Sequence, residues 1–185
     1  MITFNRRKDD CLKKDDKSSI GSWDPHILRL CEKINKKANF YTLSSCAGRI
    51  VLIKNLVKKG PDMFVFRSHE KVSFSELKKA LENYKGKDNL MFKQETCILH
   101  VCCEQLEDAE KLLKIAREAG WKNSGIMSTQ GRIVCELRST EYLAFPIFVG
   151  GKILVDDEFL KVVVSEANEK LERSWQKIRA LEKFL

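Results

Sequence analysis

The sequence predicts an α+β protein: duplicated helix–hairpin–helix units form a mixed or antiparallel sheet with helices packed on it, and a long helix closes the chain. Two observations predict it. Ser44-Ser45-Cys46-Ala47-Gly48-Arg49-Ile50-Val51 is echoed by Ser128-Thr129-Gln130-Gly131-Arg132-Ile133-Val134, and each copy follows an amphipathic helix ending in a small residue and an aromatic. Each copy then leads into strand and helix. The last apolar series, Leu160, Val163, Ala167, Leu171, Trp175, Ile178 and Leu185, keeps helical spacing to the end, a helix of roughly 40 Å at 1.5 Å per residue. The 185 residues are expected to form one domain with an internal duplication at about 22–86 and 95–185, and the default site is a cleft between the halves.

The elements follow in order. Residues 5–19 alternate cations with Asp and hold few apolar positions, as a loose arm or a short surface helix does. Asp24-Pro25 is a helix start, Asp as N-cap and Pro at the first position, and Ile27, Leu30, Cys31, Ile34 and Ala38 extend it over about 25–37. Phe40–Ser44 and Arg49–Lys54 read as the two strands of a hairpin, with Met63–Ser68 a third strand after Gly60-Pro61. Ser73-Phe74-Ser75-Glu76 is a capping box, and Leu77, Ala80, Leu81 and Tyr84 continue that helix to just before Gly86. Thr96–Cys103 is a near-continuous apolar run broken by His100, as in a central strand covered on both faces. Leu106, Ala109, Leu112, Leu113 and Ala116 mark a helix over about 105–119 that stops at Gly120. Trp121–Ser128 and Gly131–Ser139 make a further hairpin, Ala144–Val149 and Lys152–Val155 flank the Gly150-Gly151 turn, and the final helix begins near Asp157.

Between Lys33 and Pro61 there is no Asp or Glu, yet Lys33, Lys36, Lys37, Arg49, Lys54, Lys58 and Lys59 all fall there, nearly the whole of the net charge of +8. Clustered cations and a pI near 9.1 favour a polyanionic partner, most simply nucleic acid. The seven cysteines are odd in number, have no Cys-x-x-Cys spacing and sit partly in apolar runs, so neither a disulfide framework nor a zinc site is supported. A reduced cytosol is the expected compartment. Met1–Lys8 has no apolar signal core, and no apolar run approaches membrane-spanning length, so a soluble protein is expected. The chain has no Gly-x-Gly-x-x-Gly after a strand, no Gly-x-x-x-x-Gly-Lys-Ser/Thr, no Gly-x-Ser-x-Gly and no His-Glu-x-x-His. Dinucleotide, P-loop, hydrolase and zincin readings therefore lose support.

The Ser44–Arg49 segment joins hydroxyls, backbone N–H groups at a Gly turn and a guanidinium, a receptor for a phosphate or carboxylate. An ordinary polar turn on a solvated basic face has the same pattern. Cys46 is either a small packed cysteine or an activated thiolate. His100 shares its strand face with Ile98 and Cys102 and is either a packed core histidine or a general base. Capping alone accounts for Asp24. Asn123-Ser124-Gly125 supplies an amide and a hydroxyl at a strand start, and Lys170, Arg173, Lys177 and Arg179 form a solvated helix face or track a phosphate backbone.

Taken together, several spaced pieces resemble the wybutosine-synthesising tRNA methyltransferases, the third protein of that pathway. They are Phe4…Lys8, Asp16-Lys17-Ser18, Gly21-Ser22-x-Asp24, Ser44–Ile50, His69, Glu95…Leu99-His100-Val101, Ala119–Ile126 and Arg138-Ser139-Thr140. Ile20, Leu43 and Thr96 stand where that family usually has a cation, Thr and Pro. The resemblance implies a fold other than the Rossmann methyltransferase. It also implies S-adenosyl-L-methionine as cofactor and methylation of ring nitrogen N4 of the tricyclic wyosine-type base beside the anticodon of phenylalanine tRNA, in the cytoplasm. Under it Asp24 or His100 takes the ring proton, while Ser44, Ser45, Cys46, Gly48, Arg49, Asn123 and Ser124 hold the cofactor or the modified base. Lys8, Lys33, Lys36, Lys37, Lys54 and Arg138 would meet the tRNA, and no metal is expected. A non-enzymatic tRNA-binding module on the same scaffold is the alternative.

Overall fold

The computed structural model describes residues 3–13, 24–56 and 60–185. Asp16-Lys17-Ser18, Ile20, Gly21-Ser22, Lys58 and Lys59, singled out above, lie outside the described residues. In chain order the helices and strands begin with α1 (Phe4–Leu12), α2 (Pro25–Asn35), β1 (Phe40–Cys46), β2 (Arg49–Lys54), β3 (Phe64–Ser68) and α3 (Phe74–Glu82). They continue with β4 (Leu90–Glu95), β5 (Ile98–Cys103), α4 (Leu106–Glu118), β6 (Gly125–Ser128) and β7 (Ile133–Arg138). The last are β8 (Leu143–Val149), β9 (Lys152–Ile153) and α5 (Asp157–Phe184). Among the described residues no helix is long and apolar enough to cross a membrane.

The chain divides into two compact units. One gathers the described residues of 1–47, 97–140 and 174–185, the other those of 48–96 and 141–173. The first unit is built on an antiparallel sheet of order β1-β5-β7-β6. Odd-numbered residues of β5 (Leu99, Val101, Cys103) are buried on one face, which α2 and α4 cover with Ile27, Leu30, Ile34, Leu112 and Ala116. Asn35 fixes α2 to that face through two bonds to Thr42, one from Thr42 N (2.8 Å) and one to Thr42 Oγ1 (3.0 Å). On the other face α1 covers one end, its Phe4 ring 5.2 Å from that of Tyr41. Trp121, fully buried, donates Nε1–H to Lys177 O (3.0 Å), and His26 stacks on Trp175 at 3.8 Å, so the last part of α5 is anchored in this unit.

The second unit carries the sheet β3-β2-β4-β8-β9. Ile50, Val51, Leu52 and Ile53 of β2 are all buried, as in a strand covered on both faces, and β3 and β4 flank it. α3 starts with the capping box read from the sequence, Ser73 accepting from Glu76 N (3.2 Å) and Glu76 accepting from Ser73 N (2.7 Å). The Glu76 carboxylate is held below its ordinary range by the Ser73 bonds.

Two expectations are corrected. The Ser44–Arg49 segment is not a hairpin: β1 pairs with β5 while β2 pairs with β3 and β4, so the chain leaves one sheet and enters another. Gly48, at φ +105°, makes that departure in a backbone region other residues adopt only with strain. β4 is a strand the sequence reading left out. Its buried row is Leu90, Phe92 and Gln94, and the polar Gln94 interrupts the apolar alternation that signals a strand. The echo at Ser128–Val134 does form a hairpin, β6 with β7, and Gly150-Gly151 turns β8 into β9.

Candidate active site

Because β1, β5, β7 and β6 alternate in direction, the end of β1, the start of β5, the end of β7 and the start of β6 lie at one end of the sheet. That end draws together Ser44–Cys46, Ile98–His100, Glu136–Arg138 and Asn123–Gly125, segments far apart in the chain. Ser44, His100 and Glu136 stand directly opposite one another on three adjacent strands. Ser44 Oγ is 2.7 Å from His100 Nδ1, and His100 Nε2 is 3.1 Å from Glu136 Oε2. Ser44 is exposed, and the side chains of His100 and Glu136 are 23% and 26% accessible. A β-bulge sets this row. The register slips between Thr42 and Ser44, so Leu43 is the extra residue and Ser44, rather than Leu43, meets His100.

Asp24 lies beside the same end, 5% exposed. Its Oδ1 accepts from His26 N (3.2 Å), capping α2, and its Oδ2 accepts from Ala47 N (3.0 Å), which holds the exit of β1. Ser45 points to the opposite face, where its hydroxyl bonds Cys31, and burial pushes the Cys31 thiol up to about 12. Cys46 is half-buried opposite Ile98. Ser124 is buried; its Oγ donates to Trp121 O (2.6 Å) and accepts from Arg138 N (3.0 Å), so it shapes the turn into β6. Asn123 and Arg138 are exposed at this end, with Asn123 Nδ2 3.4 Å from Ser139 O.

In the second unit Arg49 stands opposite Glu95 in the β2–β4 register, donates Nε–H to its carboxylate and lies 5.1 Å over the Phe64 ring. Lys54 pairs with Asp88 at 3.7 Å. The remaining cations singled out earlier sit elsewhere. Lys36 and Lys37 precede β1, at the end of the first sheet opposite to the Ser44–His100–Glu136 row. Lys8 donates to Lys37 O and Lys33 to Glu182 O (2.6 Å). Partial burial lowers the Lys8 ammonium from its ordinary range. Sequence reading missed Glu136. It is the one acid among the apolar residues of β7, as His100 is the one base in β5, and pairing those two strands in register would have joined them.

A histidine gripped between a hydroxyl and a carboxylate on a half-buried face is a site for moving a proton, here on an α+β scaffold with no doubly wound sheet. The family model described as Methyltransferase TYW3 matches residues 6–185. The chain is 35% identical over 190 residues to the tRNA wybutosine-synthesizing protein 3 homolog of Danio rerio, covering 99% of this chain and 74% of that one. It is 34% identical over 183 residues to the tRNA(Phe) 7-((3-amino-3-carboxypropyl)-4-demethylwyosine(37)-N(4))-methyltransferase of Thermococcus sibiricus, covering 97% and 92%. The solved structure of the PH1069 protein from Pyrococcus horikoshii superposes with a TM-score of 0.87 at 32% identity, over 98% of this chain and 93% of that one. The chain belongs to the TYW3 methyltransferase family, which is a family outside the Rossmann fold.

Proposed function

We propose that this protein methylates ring nitrogen N4 of the 4-demethylwyosine-type base of phenylalanine tRNA, the reaction named for its relative from Thermococcus sibiricus, and that it does so in the cytoplasm. The single observation that carries the proposal is His100, held between Ser44 and Glu136 on a polar sheet face in a chain of this family. A ring N–H becomes a nucleophile only as its proton leaves, and a positioned base contributes about 10²–10⁴-fold. His100 takes the role of that base, and Asp24, whose oxygens accept from His26 N and Ala47 N, takes a structural one.

S-adenosyl-L-methionine supplies an electrophilic methyl on a sulfonium. The residues present suit its amino-acid end: Asn123 and Arg138 offer an amide and a guanidinium at the same sheet end as His100. Cys46, at the same sheet end, completes the set of holding groups in this unit. Ser45 and Ser124, whose hydroxyls bond within the protein, support that set from behind. Orientation is the main contribution asked of these side chains, since the methyl needs an aligned nitrogen lone pair and little else. Exposed Lys36, with Lys8, Lys33, Lys37 and Lys54, provides charge for the RNA backbone, so binding should weaken steeply with salt.

Incubation with methyl-labelled S-adenosyl-L-methionine and precursor tRNA tests the proposal. Label in the RNA is expected. Tight, salt-sensitive tRNA binding without label would instead make the chain a binding module.

A further inference from the structure

We propose that Ser44, His100 and Glu136 form a proton relay across three strands, in which Ser44 Oγ takes the substrate proton and Glu136 is the positioning residue for the imidazole. It rests on the methylation proposed above. Both ring nitrogens of His100 are occupied, Nδ1 by Ser44 Oγ at 2.7 Å and Nε2 by Glu136 Oε2 at 3.1 Å. A carboxylate only accepts, so Nε2 carries hydrogen; Nδ1 of the neutral ring is then an acceptor, and the Ser44 hydroxyl must donate to it. With neither nitrogen facing the substrate directly, a proton reaches His100 through Ser44. Exposure runs the same way. Ser44 is exposed on the edge strand β1, whereas His100 and Glu136 lie further inside the sheet and are half-buried.

The step balances. The substrate ring nitrogen gives its proton to Ser44 Oγ while the original Ser44 hydroxyl proton moves to His100 Nδ1. With a sulfonium donor bound, the electron pair left on that nitrogen would take its methyl carbon, and the carbon–sulfur pair would return to sulfur. Positive charge brought in by the sulfonium thus ends on the imidazolium, beside the Glu136 carboxylate, and the proton is later released to water. The bulge at Leu43 serves this arrangement, since an unbroken register would set Leu43 opposite His100.

Two measurements test the relay. In turnover with precursor tRNA, Ser44→Ala and Glu136→Gln should each lower kcat by about 100-fold while KM for tRNA stays within about 2-fold, and Glu136→Asp should recover part of the loss. The second needs neither RNA nor methyl donor. With three histidines in the chain, imidazole ¹⁵N spectra assigned with His100→Asn should find His100 as the Nε2–H tautomer, and Glu136→Leu should move it toward Nδ1–H. Full kcat in Ser44→Ala or Glu136→Gln, or a wild-type His100 in the Nδ1–H form, would overturn the relay even in an active enzyme. Wild-type protein that transfers no methyl would overturn the function itself.

Discussion

Replacing Asp24 with Ala separates a structural carboxylate from a chemical one. Its two oxygens do different work: Oδ1 caps α2 through His26 N, and Oδ2 holds the buried Ala47 N at 3.0 Å. Loss of the cap costs about 1 kcal/mol. Loss of a charge-assisted bond that leaves the Ala47 N–H buried and unpaired costs about 1.5–3 kcal/mol. The expected destabilisation is roughly 3 kcal/mol, and for a chain of this length that is a fall of about 6–12 °C in Tm. Asp24→Asn should lose less, about 1–2 kcal/mol, since Asn caps as well as Asp but a neutral amide cannot accept equally at both ends. Thermal unfolding followed by circular dichroism reads both variants, and turnover is assayed well below their transitions. The reasoning predicts a lowered Tm with kcat largely kept at low temperature. An unchanged Tm with methyl transfer abolished would refute it and make Asp24 the proton acceptor.

Further outcomes follow from the same geometry. His100→Ala should lower methyl transfer by about 10²–10⁴-fold while Tm hardly moves, because the side chain sits half-buried on a polar face; a collapse in stability would return His100 to the core. Iodoacetamide on the folded protein should label the half-buried Cys11 and Cys46 and spare Cys31, Cys97, Cys102, Cys103 and Cys135, all buried, with peptide mass spectrometry as the readout. Cys46→Ser should keep its turnover, and inactivity would revive a thiol mechanism. Thr96 is buried with Oγ1 lacking a hydrogen-bond partner among the described residues, so Thr96→Val should raise stability by about 1 kcal/mol in urea unfolding.

Three of the helices are legible because each carries its own boundary chemistry, whereas the region of α1 reads equally as a loose arm. Asp24-Pro25 starts α2, the Ser73–Glu76 box starts α3, and α5 begins at Asp157 where the apolar series sets in. Strand partners were less so. Sequence order places β1 beside β2, whereas β2 pairs with β3 and β4, and β4 is hidden by the polar Gln94 in its inward row. Part of the candidate site is readable for a different reason: Ser44, Cys46, His100 and Asn123 stand out by residue type and Arg138 by the resemblance, and these five do meet at one sheet end. What the linear string withheld was direction. Nothing local says that Ser45 turns toward α2 while Ser44 turns toward His100, because that depends on a register shift created by a non-local pairing.

That shift frees residue 43 from the pairing that follows it. Leu43 occupies a place outside the ladder, so a different side chain there leaves the Ser44–His100 pairing intact. Removing the residue altogether would only close the bulge: Ser44 would follow Thr42 directly, and a regular ladder would still set Ser44 opposite His100 and Ser45 opposite Leu99. Change at this point of the chain is therefore tolerated both by substitution and by loss of residue 43.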